Sequence, residues 1–286
     1  MTGLGDVTGW VLDVDGCLVR TSHAGGAGGV LMPGAADFVE GLQAAGHRVL
    51  VCTNASEQPP ATYAAHLRDL GIPVADEDLV TAGSAGADHV AAHRPGARVL
   101  AVGDEGITTP LHDRGLVLHD DDGDPTSVDA VLVGAAPTYS HADINAACLA
   151  VEAGATLYVS QDQPWFHGGR GRSVAISAVI AAAITWVTRV DAVVTGKPSA
   201  VLAESLLARL DRDPGRVAVV GDAPAEIQLA RHMGARSVAV LSGALTTDAI
   251  ATLAPPLHPD HVVVDVAALH QLVAAPSATR PSGVTS

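Results

Sequence analysis

The chain alternates between short apolar runs rich in β-branched residues and longer segments whose apolar residues recur every three or four positions. Runs of the first kind are typical of strands buried on both faces, and segments of the second kind are typical of amphipathic helices. The predicted strands are Trp10–Val14, Arg48–Cys52, Val99–Val102, Ala130–Val133, Thr156–Val159, Ala192–Val194, Val217–Val220, Ser237–Leu241 and His261–Val264. Helical patterns between them include Ala35–Ala45, Ala61–Leu70, Ala142–Ala153, Pro198–Leu210 and Ala225–His232.

Regular alternation of strand and helix predicts an α/β fold with a Rossmann-like, doubly wound parallel sheet. Several helical segments are followed by glycine, as at Gly46 and Gly71, where a left-handed helix cap is favoured. The longest apolar stretch, Val174–Val187, is too short for a membrane span, which needs about 20 residues. We expect it to form a buried, alanine-rich helix.

Composition narrows the range of partners and compartments. The chain has 286 residues, 48% of them hydrophobic, which is enough for one large domain or two smaller ones. A formal net charge of −15 disfavours nucleic acid and anionic membranes, so we expect neither as a partner. The N-terminus lacks the basic segment followed by an apolar one that marks a signal peptide. The three cysteines, Cys17, Cys52 and Cys148, lack the spacing of a disulfide framework or a zinc site. We therefore expect a cytoplasmic protein with reduced thiols.

Two observations concern candidate anion-binding and metal-binding residues, the single lysine and the histidines. Lys197 is the only lysine in the chain, although arginine supplies the other 15 of the 16 basic residues. Because lysine and arginine differ in geometry and hydration, this single ammonium points to a chemical role. Among the histidines, no pair has metal-binding spacing on a predicted helix.

Four predicted strands end in polar residues. The endings are Asp13-Val14-Asp15-Gly16, Thr53-Asn54, Thr195-Gly196-Lys197-Pro198 and Gly221-Asp222, with Glu226 following the last. In a doubly wound sheet, ligands bind beyond the carboxyl ends of the strands, near the point where the strand order reverses. We therefore expect the carboxylates, a hydroxyl, an amide and an ammonium to gather in one site.

The expected set of groups suits phosphoryl transfer. A carboxylate nucleophile divides a difficult step in two through an aspartyl-phosphate. A hard divalent cation held by carboxylates shields the nucleophile from the phosphate. A lysine and backbone amides neutralise the transferring oxygens, and a second carboxylic acid protonates the leaving alcohol and then activates water.

The order of these motifs resembles that of the haloacid dehalogenase-like (HAD) hydrolase superfamily. The similarity runs from about residue 10 to about residue 270, and the four endings occur in the family's order and spacing. Met32-Pro33-Gly34-Ala35 and the long insert before Gly196 resemble subfamily IIA, the NagD-like or p-nitrophenyl phosphatase-like sugar phosphatases. Members of that subfamily carry an inserted α/β cap domain, the type IIA cap.

The resemblance implies a catalytic core and a cap. The Rossmannoid core would comprise residues 1–88 and 192–275, and the cap that determines substrate specificity would comprise residues 89–191. Residues 276–286 read as a disordered tail. By resemblance, the cap closes over the site and excludes water, and a homodimer through the cap is one arrangement open to the protein.

The resemblance also implies catalytic and metal-binding roles. Asp13 would be the nucleophile and a ligand of Mg²⁺, and Asp15 would be the general acid/base, with its backbone carbonyl on the metal. Asp222 would be the third protein ligand, and Glu226 would orient a metal-bound water. The family more often has Asp at the last position, so Glu226 departs from its pattern.

Phosphate-binding residues follow from the same resemblance. Thr53 would hold the phosphate, with help from Asn54 and from backbone amides near Gly16. Lys197 would bridge the nucleophile and the phosphate.

The cap supplies three candidate specificity residues. The loop Ser160–His167 follows a predicted cap strand and resembles the loop that contacts the leaving group in relatives. Asp162 is the first candidate, with Trp165 and Arg170 after it. The strand ending at Gly134 lacks the Asp that relatives often carry two residues later.

The expected function is hydrolysis of a small phosphorylated metabolite, preferably a sugar or polyol phosphate, by a Mg²⁺-dependent phosphatase. A nucleoside monophosphate, phosphoglycolate or pyridoxal phosphatase and a phosphotransferase are alternatives on the same scaffold. A binding module with a decayed site and a nicotinamide-dependent oxidoreductase are the alternatives from other classes. The role of the glycine-rich segment Ala24–Gly29 is open.

Overall fold

The computed structural model describes residues 3–20, 29–120, 122–168 and 171–274. Three predictions concern other parts of the chain. Arg170, all but the last residue of the segment Ala24–Gly29, and the tail 276–286 lie outside the described residues.

Strands and helices alternate along the described chain. The strands are β1 (Gly9–Asp13), β2 (Val19–Arg20), β3 (Val30–Leu31), β4 (Arg48–Thr53), β5 (Leu79–Thr81), β6 (Arg98–Val102), β7 (Val117–Leu118), β8 (Ala130–Val133), β9 (Thr156–Val159), β10 (Trp165–Gly168), β11 (Gly171–Val174), β12 (Val193–Val194), β13 (Val217–Gly221), β14 (Arg236–Val240) and β15 (His261–Val263). The α-helices are α1 (Ala35–Ala44), α2 (Pro60–Asp69), α3 (Ala82–His93), α4 (Glu105–Asp113), α5 (His141–Glu152), α6 (Ile176–Thr188), α7 (Ala200–Leu210), α8 (Pro224–Met233), α9 (Thr247–Thr252) and α10 (Val266–Ala274). Short 3₁₀ helices cover Leu4–Asp6, Asp76–Asp78, Pro125–Ser127, Pro214–Arg216 and Pro255–Leu257. The predicted α/β class is confirmed, and each predicted strand is found with its ends within one residue.

The core sheet reverses its strand order beside β1. Its six strands are all parallel and run in the order β15-β14-β13-β1-β4-β5. The chain steps from β1 through β4 to β5 on one side and from β13 through β14 to β15 on the other. At the reversal, Leu12 lies level with Val220 on one neighbour, and Asp13 lies level with Cys52 on the other. Ligands of doubly wound sheets bind in the crevice beyond this point.

A second parallel sheet builds the cap, in the order β12-β9-β8-β6-β7. Its edge strand corrects the predicted boundary at residue 192. Val193 and Val194 pair with Tyr158 and Val159 of β9, so this strand belongs to the cap sheet although the sequence assigned it to the core. The chain therefore leaves the cap sheet only after Val194.

The apolar core lies on both faces of the core sheet, between it and the helices. Trp10 and Phe38 are its largest side chains, with ring centroids 5.8 Å apart in an edge-to-face contact. Trp10 Nε1 donates a hydrogen bond of 2.9 Å to His47 Nδ1, so the polar atom of the buried indole is satisfied. Burial lowers the pKa of His47, which keeps its ring in the neutral form that can accept this bond.

Helix α6 occupies the apolar stretch predicted as a buried helix, and the prediction is wrong for one of its faces. Ala181 and Ile184 are buried against the cap sheet, but the outer face leaves Trp186 69% exposed. The sequence is apolar around the whole helix, so its periodicity cannot tell the covered face from the open one. Among the described residues, no helix combines the length and apolar character needed to cross a bilayer.

Asp88 ties the cap to the core where α3 packs on α7. Its carboxylate accepts hydrogen bonds from Arg114 at the end of α4, from Ser205 Oγ at 2.6 Å and from Arg209 Nη2 at 2.7 Å.

Asp88→Asn should lower the free energy of unfolding by about 2 kcal/mol, because two guanidinium groups would then face each other without a carboxylate. Urea denaturation measures this, with the exposed Asp113→Asn as control. Equal stability of the two variants would contradict it.

Candidate active site

The centre of the site is an ion pair between Asp13 and Lys197, residues 184 positions apart. Asp13 is the last residue of β1, at the strand reversal, and both side chains are buried. Lys197 Nζ contacts Asp13 Oδ1 and also lies 2.8 Å from Glu226 Oε1. Lys197 comes from the segment that follows the cap strand β12, so the crossing from cap to core brings the chain's only lysine to Asp13.

The site carries more negative charge than its one ammonium balances. Burial raises the pKa of Asp13 well above its usual range; Lys197 opposes this in part, and Glu226 and Asp222 add to it. Burial, with Glu226, raises the pKa of Asp222 to about 6. Burial alone would lower the pKa of Lys197, but Asp13 and Glu226 hold it well above its usual value. Lys197 is therefore protonated, and the remaining carboxylate charge suits a divalent cation.

Asp222 is held by a segment that the sequence analysis did not identify, residues 242–245. Asp222 Oδ2 accepts a hydrogen bond of 2.6 Å from the backbone N–H of Ala244, and its carbonyl accepts one of 2.8 Å from Leu245. Ser242 Oγ donates a bond of 2.8 Å to the carbonyl of Gly16, which joins this segment to the turn after β1.

Glycine is required on both sides of the Asp222 carboxylate. A Cβ at Gly243 would lie 1.8 Å from Asp222 Oδ2, and one at Gly16 would lie 2.4 Å from the same atom. Gly16 also has φ of +84°, in the left-handed region. In the sequence, the signal for this close approach was the Ser-Gly pair directly after the predicted strand Ser237–Leu241.

Thr53 ends the neighbouring strand β4, Asn54 follows it, and both residues line the same cavity. Thr53 is buried, and its Oγ1 accepts a hydrogen bond of 3.1 Å from the backbone N–H of Ala55. The Asn54 side chain is bonded to the Lys197 peptide: its Oδ1 accepts from Lys197 N at 2.6 Å, and its Nδ2 donates to Lys197 O at 3.2 Å. Asn54 thus fixes the backbone that carries the lysine.

Glu226 lies in the first turn of α8, with its carboxylate shared between two partners. Its Oε2 accepts a hydrogen bond of 3.0 Å from the backbone N–H of Ala223, and its Oε1 contacts Lys197. Glu226, the side chain expected to orient a metal-bound water, is thus paired with the ammonium.

A cavity of about 390 Å³ lies above these residues, between core and cap. The core lines it with Asp13, half-buried Asp15, Thr53, Asn54, Glu57, Lys197, Asp222 and Glu226. The cap lines it with Ala135, Gln161, Gln163, Trp165, Ile176 and Ser177, among others. The cavity therefore places the expected nucleophile and the expected acid on one wall and cap side chains on the other.

The cap residues facing the cavity differ from those predicted. Trp165 lines it, whereas Asp162 does not: its Oδ1 accepts a hydrogen bond of 3.1 Å from Gln163 Nε2, and the side chain lines a separate groove beside α6. Asp162 is thus placed away from the site. Its neighbours Gln161 and Gln163 line the cavity.

Three buried hydroxyls link the cap to the core at the cavity edge. Ser56 Oγ bonds to Ser160 Oγ at 3.2 Å, and Ser160 Oγ bonds to Ser177 Oγ at 3.0 Å. Ser56 Oγ also accepts a bond of 3.0 Å from the backbone N–H of Ala135. Ser56 belongs to the core and the other residues to the cap, so this network holds the cap over the site.

The donor set at the strand reversal fits Mg²⁺. The carboxylates of Asp13 and Asp222 and the backbone carbonyl of Asp15 are hard oxygen donors, the type that Mg²⁺ prefers. Three buried carboxylates, those of Asp13, Asp222 and Glu226, share one ammonium in this site, and this is the observation that favours a cation here.

Comparison with known proteins agrees with this arrangement. A family model described as haloacid dehalogenase-like hydrolase matches residues 10–117, and a HAD-hydrolase-like model matches residues 194–269. An acid sugar phosphatase of Staphylococcus saprophyticus is 31% identical over 217 residues, which cover 74% of this chain and 78% of the relative.

Solved structures extend the likeness over nearly the whole chain. A glycerol phosphate phosphatase from Mycobacterium tuberculosis, solved with magnesium, has a TM-score of 0.81 and 28% identity, and the match covers 95% of this chain and 79% of that one. A 4-nitrophenylphosphatase from Thermotoga maritima shares the fold with a TM-score of 0.83 at 23% identity, over 96% of this chain and 100% of that one. The chain therefore belongs to the haloacid dehalogenase-like hydrolases, alongside their NagD-like and p-nitrophenyl phosphatase-type members.

Proposed function

We propose that the protein is a Mg²⁺-dependent phosphatase that hydrolyses a small phosphorylated metabolite through an aspartyl-phosphate on Asp13. The observation that carries the proposal is the buried Asp13–Lys197 pair, which opens into a cavity also lined by Asp15. A nucleophile, a positive charge for the transferring oxygens and a second carboxyl group are thus within one enclosed space.

In the first half-reaction, a carboxylate oxygen of Asp13 forms a bond to phosphorus while the bond between phosphorus and the leaving oxygen breaks. Asp15 gives a proton to that oxygen, and an alcohol departs. In the second half-reaction, water attacks the phosphorus of the aspartyl-phosphate and gives a proton to Asp15. Inorganic phosphate leaves, and the Asp13 carboxylate is restored.

Other residues bind and orient the phosphoryl group. Lys197 neutralises its oxygens, and Thr53 with the backbone amides near Gly16 donates hydrogen bonds to them. Asn54 acts through the Lys197 peptide that it holds, as a positioning residue rather than a direct phosphate ligand. Glu226 is likewise a positioning residue, because its carboxylate contacts the Lys197 ammonium that also contacts Asp13.

Asp13, Asp222 and the carbonyl of Asp15 would hold Mg²⁺. When bound, the ion supplies the positive charge that lets an anionic carboxylate approach an anionic phosphate ester. The raised pKa values of Asp13 and Asp222 apply to the site without Mg²⁺, and the positive charge of the ion would lower both.

A sugar or polyol phosphate is the substrate class that we favour. The cavity of about 390 Å³ suits a small metabolite, and Gln161, Gln163 and Ser177 offer it hydrogen bonds. Relatives named acid sugar phosphatase and glycerol phosphate phosphatase support the same class. Trp165 is the feature that favours the alternative of a nucleoside monophosphate, whose base would stack on an indole.

The test is release of inorganic phosphate from a panel of sugar, polyol and nucleoside phosphates, phosphoglycolate and pyridoxal phosphate, with Mg²⁺ and without any acceptor. We expect turnover of a sugar or polyol phosphate that EDTA abolishes. Turnover that requires an acceptor alcohol would favour a phosphotransferase. No phosphate release from any ester, including p-nitrophenyl phosphate, would overturn the proposal.

We also propose a homodimer formed through the cap, in the cytoplasm. The open face of α6 carries Val179, Trp186 and Val187 without a carboxylate among them, so two acidic chains can meet there with little repulsion. The free thiols suit a reducing compartment.

Light scattering should give the mass of two chains for the wild type and of one for Trp186→Asp. The equally exposed Val30→Asp on the core is the control, and a monomeric wild type would refute the dimer.

A further inference from the structure

A second group of metal-ligating side chains lies outside the active site, where α3 packs on α7. It contains His89 and His93 of α3 and Glu204 of α7. The sequence analysis found no histidine pair with metal spacing on a helix, and the structure corrects this. His89 and His93 lie four residues apart on α3, so their rings project from the same face.

The ligand atoms of this cluster already have the spacing of a metal site. His89 Nδ1 lies 3.0 Å from Glu204 Oε2, and His93 Nε2 lies 3.7 Å from Glu204 Oε1. Neighbouring ligands of a tetrahedral ion with bonds of about 2.0 Å lie about 3.3 Å apart. In the part of the chain that the structure describes, this is the only trio of His, Cys, Asp or Glu whose ligand atoms all lie within 4.8 Å.

The His93 ring is oriented as a metal ligand by its other nitrogen. His93 Nδ1 lies 2.9 Å from the backbone carbonyl of His89, and because a carbonyl can only accept, Nδ1 carries the proton. In the neutral ring the lone pair is then on Nε2, which faces the Glu204 carboxylate. Metal-bound histidines use the same backbone contact to fix their tautomer. A metal ion between the Nε2 lone pair and the Glu204 carboxylate would be bound by both groups.

The surroundings neither fill nor repel such an ion. His89 and Glu204 line a cavity of about 390 Å³, which leaves room for a water as fourth ligand. Arg209 lines the same cavity, but its guanidinium is bonded to Asp88. The Tyr158 ring packs against His89 with centroids 5.7 Å apart and limits the movement of that ring.

We propose that His89, His93 and Glu204 form a binding site for Zn²⁺ or a similar borderline divalent cation, separate from the oxygen-lined active site. Two imidazoles and one carboxylate suit Zn²⁺, Co²⁺ or Ni²⁺, whereas Mg²⁺ prefers oxygen ligands alone. The bound ion joins α3, which leads from the core into the cap, to α7, which follows Lys197. It therefore stabilises the junction between the two domains by mass action.

The test is a Co²⁺ titration of untagged, EDTA-treated full-length protein in the presence of millimolar Mg²⁺, which occupies sites built from oxygen. Four-coordinate Co²⁺ absorbs visible light much more strongly than six-coordinate Co²⁺, so the spectrum reports this site without any reference to catalysis. We expect a saturable absorption band in the wild type. His93→Ala and Glu204→Gln each remove a direct ligand, so each should weaken Co²⁺ binding by more than the about 10- to 100-fold that loss of an outer-shell partner costs.

The matched control is His112→Ala, since that ring is 83% exposed and outside the cluster. It should keep the band, and Zn²⁺ should raise the thermal midpoint of the wild type and of this control but of neither site variant. Circular dichroism verifies that all variants are folded, as expected because both His93 and Glu204 are half exposed. Absence of a band in the wild type, or an unchanged band in both site variants, would overturn the proposal.

Discussion

Asp13→Asn should lower kcat by at least ~10⁴-fold, because the amide oxygen cannot act as the nucleophile that starts the reaction. The substitution keeps the size of the side chain and removes one negative charge from a buried group of carboxylates. Lys197 retains Glu226 as a partner, so the fold should be as stable as the wild type or more stable. Phosphate release and thermal unfolding measure the two effects.

The exposed Asp69→Asn at the end of α2 is the matched control, with the same chemical change far from the cavity. It should leave kcat unchanged. If Asp13→Asn kept more than a tenth of the wild-type kcat, the nucleophile would be another residue.

Lys197→Arg should lower kcat by about 10²- to 10³-fold although the positive charge is kept. The ammonium is buried between Asp13 and Glu226, and its backbone is held by Asn54, so the larger guanidinium cannot take the same position. Steady-state kinetics measure the loss, and the surface substitution Arg68→Lys, which exchanges the same two residue types, serves as control.

A wild-type kcat for Lys197→Arg would show that only charge matters at this position. A loss of folding in this variant would be resolved by Lys197→Met, which fits the same space without charge. Folded Lys197→Met should lose at least as much activity as Lys197→Arg, and normal turnover in it would exclude a role for the ammonium.

The sequence predicted those parts of the site that follow directly from a buried strand. Asp13, Thr53 and Asp222 each come at or just after the end of an apolar run, and in a parallel sheet such ends share one edge. Lys197 was identifiable because it is the only lysine, although the strand before it lies in the cap sheet rather than the core sheet.

Contacts between distant segments could not be read from the sequence. The bonds between Asn54 and the Lys197 peptide span 143 residues, and the loop that holds Asp222 contains only Ser, Gly, Ala and Leu. The direction of the side chains could not be predicted from the sequence either. Asp162 and its neighbours Gln161 and Gln163 are all polar, and only the fold decides which of them faces the cavity.

The helix with the histidine pair was missed for a local reason. Gly83 and Gly86 lower the helix propensity of Ala82–His93, which hid its pattern. A capping box was the signal present: Thr81 Oγ1 accepts from Ser84 N at 3.0 Å, and Ser84 Oγ accepts from Thr81 N at 3.0 Å.

Identification of the covalent intermediate is the most direct test of catalysis by Asp13. The enzyme would be quenched in acid during turnover of p-nitrophenyl phosphate with Mg²⁺, digested, and mapped by mass spectrometry. We predict one phosphoryl group on Asp13 that hydroxylamine removes, and none in Asp13→Asn. Phosphate release from an enzyme that never carries this group, or that carries it on another residue, would contradict the mechanism.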